Sequence, residues 1–215
     1  MGKIDGALIR AAYDAEGVYV YQAFEPRIAS RAIALGTFGE GFGLSRMTWI
    51  KPSLGWMMHR SGYAEKRNQE RVLRIKVSHP GFEALLSQAA LSSYHPEVHA
   101  SVEDWKQSLE QFTCRVQWDP DRDLGLDVIE GHRTIQIGIS AELIKSYVNN
   151  WILGMQDVTD VVRGLKLAAA HRNPGEKLEH PFPEKVYEVE AQVANRLGIA
   201  AEGIYLPPSQ KKRLA

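Results

Sequence analysis

The sequence predicts an α+β fold: a single domain with a mixed, largely antiparallel sheet flanked by helices. Short runs of β-branched and aromatic residues alternate with segments of helical apolar spacing. Two of those runs, 113–118 and 133–139, are joined by an acidic loop, as in a long hairpin. With 44% hydrophobic residues in 215, the chain can bury one core of its own.

Taken in order, residues 17–24 (Gly-Val-Tyr-Val-Tyr-Gln-Ala-Phe) form a strand. Pro26 opens a helix with Ile28, Ala29, Ala32 and Ile33 on one face, ending at Gly36. A glycine-rich loop, 36–43, leads to a strand at 46–50. Pro52 suits the first turn of the next helix, where Leu54, Met57 and Met58 make a buried stripe up to a stop at Gly62. Residues 71–78 set Val72, Arg74 and Lys76 against Leu73, Ile75 and Val77, a strand. Pro80 begins a helix with Phe82, Leu85, Leu86 and Ala89 at helical spacing. The polar stretch 92–112 is a peripheral excursion with a helix near 102–111. Beyond the hairpin, Ser140 caps a helix with Ile144, Tyr147, Val148, Trp151 and Ile152 inward. Asp157 caps another that buries Val158, Val161, Val162, Leu165 and Ala169, and Pro183 starts a last one through Val186, Val189, Val193 and Leu197. The domain is expected to span 1–206, with 207–215 a frayed tail.

Formal net charge is zero, so no overall field draws the chain to nucleic acid or an anionic membrane. Basic residues are nonetheless crowded locally, at Arg10, Arg46, Lys51, Arg60, Lys66 and Arg67. The lone Cys114 excludes an internal disulfide and fits a reducing compartment. There is no run of eighteen apolar residues and no signal-like start, so a soluble cytoplasmic protein with no membrane partner is expected. The oligomeric state is left open.

The densest chemistry lies in Arg46-Met47-Thr48-Trp49-Ile50-Lys51-Pro52-Ser53 and the helix-like Leu54-Gly55-Trp56-Met57-Met58-His59-Arg60-Ser61. This strand-to-helix junction carries stacking, cationic and hydroxyl groups beside free backbone N–H groups. Trp49 or Tyr21 would stack on a base or nicotinamide. Gln22, Thr48 and Ser53 would hold hydroxyls, and Arg46, Lys51 and Arg60 would meet phosphates. The competing reading puts Trp49 and Trp56 in the core and pairs the cations with Glu40, Glu65 or Glu70.

Other motifs are weaker. The loop 36–43 lacks the Lys-Ser/Thr ending of a P-loop and reads as a mobile lid. Acids at Asp119, Asp121, Asp123, Asp127 and Glu130 mimic a calcium loop, but the glycine comes one residue late and the flanks are strands. His95 and His99 lack the glutamate of a zincin. No metal is expected. Cys114 reads as buried and inert. Asn68-Gln69-Glu70 either caps a turn or points into the pocket.

Tyr13-Asp14, Val20-Tyr21-Gln22-Ala23-Phe24, the 46–53 run, Trp56-Met57-Met58, Arg60-Ser61-Gly62, Asn68-Gln69-Glu70, Val116-Gln117-Trp118-Asp119-Pro120 and the run 133–139 resemble the domain of unknown function 4291 family over about residues 9–160. The family implies no activity. The order of elements resembles, more distantly, the ADP-ribosyltransferase core. There a first strand gives a polar residue to the nicotinamide ribose, a second strand and its helix give an aromatic wall, and a later strand gives the catalytic glutamate. That resemblance implies catalytic roles at Gln22, Thr48 and Gln136, with a glutamine where glutamate is expected. It implies a cofactor-binding set of Tyr21, Arg46, Trp49, Lys51, Ser53 and Arg60. NAD would be the substrate of a transferase or glycohydrolase. The alternative is a non-catalytic module that grips single-stranded nucleic acid or a phospho-ligand with the same cations and tryptophans.

Overall fold

The computed structural model describes residues 2–173 and 176–205; the expected frayed tail lies outside them. The elements run β1 (Arg10–Ala11), β2 (Gly17–Phe24), α1 (Pro26–Leu35), β3 (Thr48–Ile50), α2 (Leu54–Ser61), β4 (Arg71–Ser78), α3 (His79–Ser87), β5 (Ala89–Leu91) and α4 (Val102–Gln111). There follow β6 (Cys114–Arg122), β7 (Val128–Ile139), α5 (Ala141–Ser146), a π-helical turn (Tyr147–Trp151), β8 (Ile152–Asp157), α6 (Thr159–His171), β9 (Lys185–Val186), α7 (Ala191–Leu197) and a 3-10 turn (Ala201–Gly203). The fold is α+β, and the strands are divided between two main sheets rather than joined in one.

The first main sheet has the order β2-β4-β8 and the second β3-β7-β6-β5; a two-stranded pair, β1-β9, stands apart. All of these pairings are antiparallel except β5 with β6. Period-two alternation explains the core between the two sheets. On β2, Val18 and Val20 face inward, opposite Val77 and Ile75 of β4. On the second sheet Ile50, Ile135, Ile137, Ile139, Cys114 and Val116 do the same. A smaller core forms on the other face of the first sheet, where Tyr21 and Val72 pack under Leu54, Met57 and Met58 of α2 and Val158 and Val162 of α6.

Just past the end of β3, the sheets are joined by a backbone pair. The Tyr21 N–H donates to the Lys51 carbonyl at 2.7 Å, and the Lys51 N–H to the Tyr21 carbonyl at 3.2 Å. The alternation that turns Val18 and Val20 inward also buries Gln22, which is 3% exposed. Its amide N–H groups donate to Thr48 Oγ1 at 2.8 Å and the Trp49 carbonyl at 3.0 Å, and its Oε1 accepts from the Tyr147 hydroxyl at 3.0 Å. One side chain therefore links β2, β3 and the π-helical turn.

Several expected elements are moved or replaced. The helix from Ser140 breaks at the π-helical turn, and β8 follows, pairing with β4 from Ile152 onward. Helical apolar spacing through Ile152 hid this strand, which is specified by the free edge of β4. Ser140 itself makes no side-chain cap; its hydroxyl donates to Thr113 Oγ1 at 3.3 Å. Lys185 and Val186 pair with β1 rather than continuing a helix from Pro183, and α7 starts only at Ala191. Val161 is exposed, on the outer side of α6. The acidic 119–130 segment is mostly paired strand, with Arg172 bound to Asp123 and Asp127 at its turn. The loop 36–43 is pinned, not a free lid. Phe38 and Phe42 are buried and stacked at 4.1 Å, and Phe24 meets both edge-on. Among the described residues no helix is long and apolar enough to cross a membrane.

Removing the Tyr147 hydroxyl should expose how much the seam depends on this network. Tyr147→Phe leaves Gln22 Oε1 without its donor, and the fold should lose about 1–2 kcal/mol in denaturant titration. An unchanged midpoint would mean that the Gln22 bonds do not hold the sheets together.

Candidate functional site

The seam opens on one side into a cleft of about 250 Å³ lined by Gln22, Arg46, Thr48, Trp49, Lys51, Met57, Arg60 and Gln69, among others. Among the larger clefts elsewhere are two of about 540 and 470 Å³. One is walled by Glu83, Glu188 and Glu190, and the other by Arg71, Asp157 and Arg163. The smaller cleft is singled out by its charges.

Each wall has a local origin. Thr48 lies beside the buried Gln22, so its Oγ1 accepts a bond and its own proton is left for another partner. Trp49, on the outer face of β3, lies across Gly138 of β7 in cross-strand register. A Cβ on Gly138 would come within 2.6 Å of Met47 Sδ and 3.1 Å of the Trp49 indole, so glycine is what allows the ring to lie flat. Ser53 starts α2: its Oγ accepts from the Trp56 N–H at 3.2 Å and donates to Asp121 at 2.9 Å. Gly55, the second residue of α2, brings the helix against β6, because a Cβ there would sit 2.1 Å from the Arg122 carbonyl. This close approach places Arg60, near the helix C-terminus, at the cleft.

Lys51 carries most of the electrostatic interest. It is 8% exposed, and its Nζ has one long contact, 3.4 Å from the Trp49 carbonyl, and lies 5.3 Å from the centre of the Trp56 ring. Burial and the Arg60 guanidinium push its amine down to about 8, against a smaller opposing field from Asp119. Among the described residues, Arg46, Lys51 and Arg60 form no ion pair. The glutamates that would have neutralised them are engaged elsewhere: Glu40 with Arg31, Glu65 with Lys166, and Glu70 with the Asn68 N–H. Trp56, by contrast, is largely buried, as the competing reading expected.

Of the residues singled out in the sequence, Gln22, Arg46, Thr48, Trp49, Lys51 and Arg60 share the cleft. Tyr21 does not. It points into the α2 core, and burial raises the pKa of its hydroxyl, making it harder to ionise. Ser53 is fully used as a cap. Gln136 lies two residues along β7 from Gly138, and its amide donates to Asp119 and, at 3.4 Å, to Gln117 Oε1. Gln69 joins the cleft, whereas Glu70 turns towards the neighbouring one. Sequence reasoning missed Asp119 as a member of this neighbourhood. The signal was its place in Val116-Gln117-Trp118-Asp119, where strand alternation puts it on the outer face with Gln117. The other acids lie apart, and among the described residues no group of three or more His, Cys, Asp or Glu side chains is placed to hold a metal ion. Cys114 is buried, which raises its thiol.

A buried, unpaired lysine should cost stability. Its folded value lies below the unfolded value of 10.5, so between pH 8 and 10.5 the unfolded chain holds the extra proton. Stability from this group therefore rises with pH across that window, and the full cost is present below it. Lys51→Met should stabilise the fold by roughly 2–3 kcal/mol at pH 7. The gain over wild type should shrink towards zero as pH approaches 10.5. A destabilised Lys51→Met protein at pH 7 would contradict the assignment.

No curated protein matches this chain. The profile of a domain of unknown function (DUF4291) matches residues 8–187, which takes in the cleft, both main sheets and the pair β1-β9. The chain belongs to the DUF4291 family.

Proposed function

We propose that the cleft binds a nucleotide through its phosphates, with NAD as substrate of an ADP-ribosyltransferase-like transfer or glycohydrolysis. The observation that carries this reading is the convergence of Arg46, Lys51 and Arg60, unneutralised among the described residues, on a cleft walled by Trp49. In a chain with zero net charge, three such cations in one place call for an anion. Arginine's planar fork suits phosphate. At about 250 Å³ the cleft is smaller than the roughly 300–1,000 Å³ of whole ligand pockets, so a dinucleotide would run out past Arg60 and Arg46.

The roles follow the geometry. Thr48, held by Gln22, offers its hydroxyl proton to a ribose oxygen; Gln22, whose amide is spent on the seam, acts through Thr48. Trp49 stacks on the nicotinamide or base. Cleaving the glycosidic C–N bond develops positive charge on the ribose, which a nearby carboxylate stabilises. Gln136 cannot ionise, but its amide donates to Asp119, and Asp119 supplies the negative charge at that position.

The nucleic-acid alternative draws on a different observation. Burial together with Arg122, Lys66 and Arg60 holds the His59 imidazole below its ordinary value, so cations from β6, α2 and the turn after it extend beyond the cleft around His59. A strand following them would release counterions, and its binding would fall steeply with salt.

Calorimetric titration with NAD at low and moderate salt separates the two. Saturable binding that survives salt supports the pocket. Arg46→Ala and Arg60→Ala should each weaken it about 10- to 100-fold, the loss of one charge-assisted contact. Arg27→Ala, on α1, serves as the control and should leave it unchanged. Asp119→Asn should cut nicotinamide release by about a hundredfold while the protein still binds NAD. Absence of heat and of thermal stabilisation by NAD would remove the nucleotide reading.

A further inference from the structure

We propose that Lys51 is a reactive amine that condenses with the aldehyde of a phosphorylated open-chain aldose held in the cleft. The inference rests on the anion-binding reading above and adds a covalent step to it.

Three features distinguish Lys51 from a simple phosphate anchor. First, the anchoring task already has two occupants, since Arg46 and Arg60 are exposed at the same cleft. Second, Lys51 is enclosed where they are not. Its Nζ lacks a carboxylate within 4 Å among the described residues, and its one hydrogen-bond contact, to the Trp49 carbonyl, is long at 3.4 Å. A lysine kept only for its charge gains nothing from such burial, which costs desolvation. Third, a desolvated lysine next to another cation is the arrangement that frees an amine lone pair for attack on carbonyl carbon. With the amine near 8, about a tenth of the protein holds it as free base at pH 7.

The step balances without a further reactant. Nζ adds to the aldehyde carbon, and the carbonyl oxygen takes up a proton to give a carbinolamine. That hydroxyl takes up a second proton, the one the Lys51 ammonium gave to solvent on becoming free base, and leaves as water, and the nitrogen remains as a protonated imine. The positive charge returns to Lys51, favoured by Asp119 and opposed by Arg60. The two arginines hold the phosphate throughout. ADP-ribose in its open-chain form has both required groups, an aldehyde and a pyrophosphate, so the product of the proposed glycosidic cleavage belongs to this substrate class.

The test uses the full chain with pyridoxal 5′-phosphate, an aldehyde that carries a phosphate, followed by borohydride reduction and peptide mapping. Lys51 should be labelled ahead of exposed lysines such as Lys66 and Lys145, with a half-maximal rate near pH 8. NAD and inorganic phosphate should slow the labelling. Lys51→Arg should abolish the principal adduct and Lys145→Arg should retain it. If Lys51→Arg does not fold, the wild-type peptide map and its pH profile decide alone. Labelling spread over exposed lysines, or labelling of Lys51 that NAD and phosphate do not slow, would overturn the proposal. An unlabelled Lys51 in a protein that still binds NAD would remove the imine and leave the cleft standing. Loss of both labelling and NAD binding would remove the two readings together.

Discussion

One buried amide holds the architecture together. Gln22 sits at the end of an inward row begun by Val18 and Val20, where a third apolar side chain would have extended the core. It instead donates to Thr48 and the Trp49 carbonyl and accepts from Tyr147, tying β2 to β3 and both to the π-helical turn. A polar group buried this deeply is tolerable only with its partners in place, which makes the arrangement specific as well as stable. The same amide lines the cleft. Its position, the orientation of Thr48 and the placement of Trp49 all follow from it.

Charge is the second organising constraint. Acids and bases are equal in number, yet the acids near the cleft are committed elsewhere: Glu40 to Arg31, Glu65 to Lys166, Asp121 to Ser53. The cations at the cleft are left without counterions among the described residues. Burying Lys51 in that company carries an energetic cost for the fold, and such a cost is borne most readily where binding or chemistry makes use of it. Asp119 tempers the field without quenching it, since its carboxylate is also engaged by the Gln136 amide.

Much of this was legible in advance. The strands Gly17–Phe24 and Arg71–Ser78 and the helices α1 and α4 stand where periodicity and local punctuation put them. The 46–61 segment was recognisable from its density of planar and cationic groups, and five of its singled-out residues meet Gln22 in one cleft. What failed was any element defined by its neighbour. The apolar residues from Ile144 to Ile152 keep helical spacing in sequence, but the open edge of β4 takes Ile152 and its successors as a strand. Lys185 and Val186 are strand only because β1 is there to pair with them.

The α+β class, the stretch that lines the cleft and the family were legible in the residues alone. Local residue pattern sets strand alternation, capping and punctuation, and those are properties of adjacent residues. Tertiary structure decided which candidates share a site. Tyr21 and Gln22 are neighbours in the chain, but a strand sends successive side chains to opposite faces, so one enters the α2 core and the other reaches the cleft. Ser53 is taken up by the Trp56 N–H it caps and by a carboxylate sixty-eight residues away. Whether Lys51 would be neutralised was equally undecidable from sequence. Ion pairing depends on which side chains the sheets bring within a few ångströms, and that distance is written only in the fold.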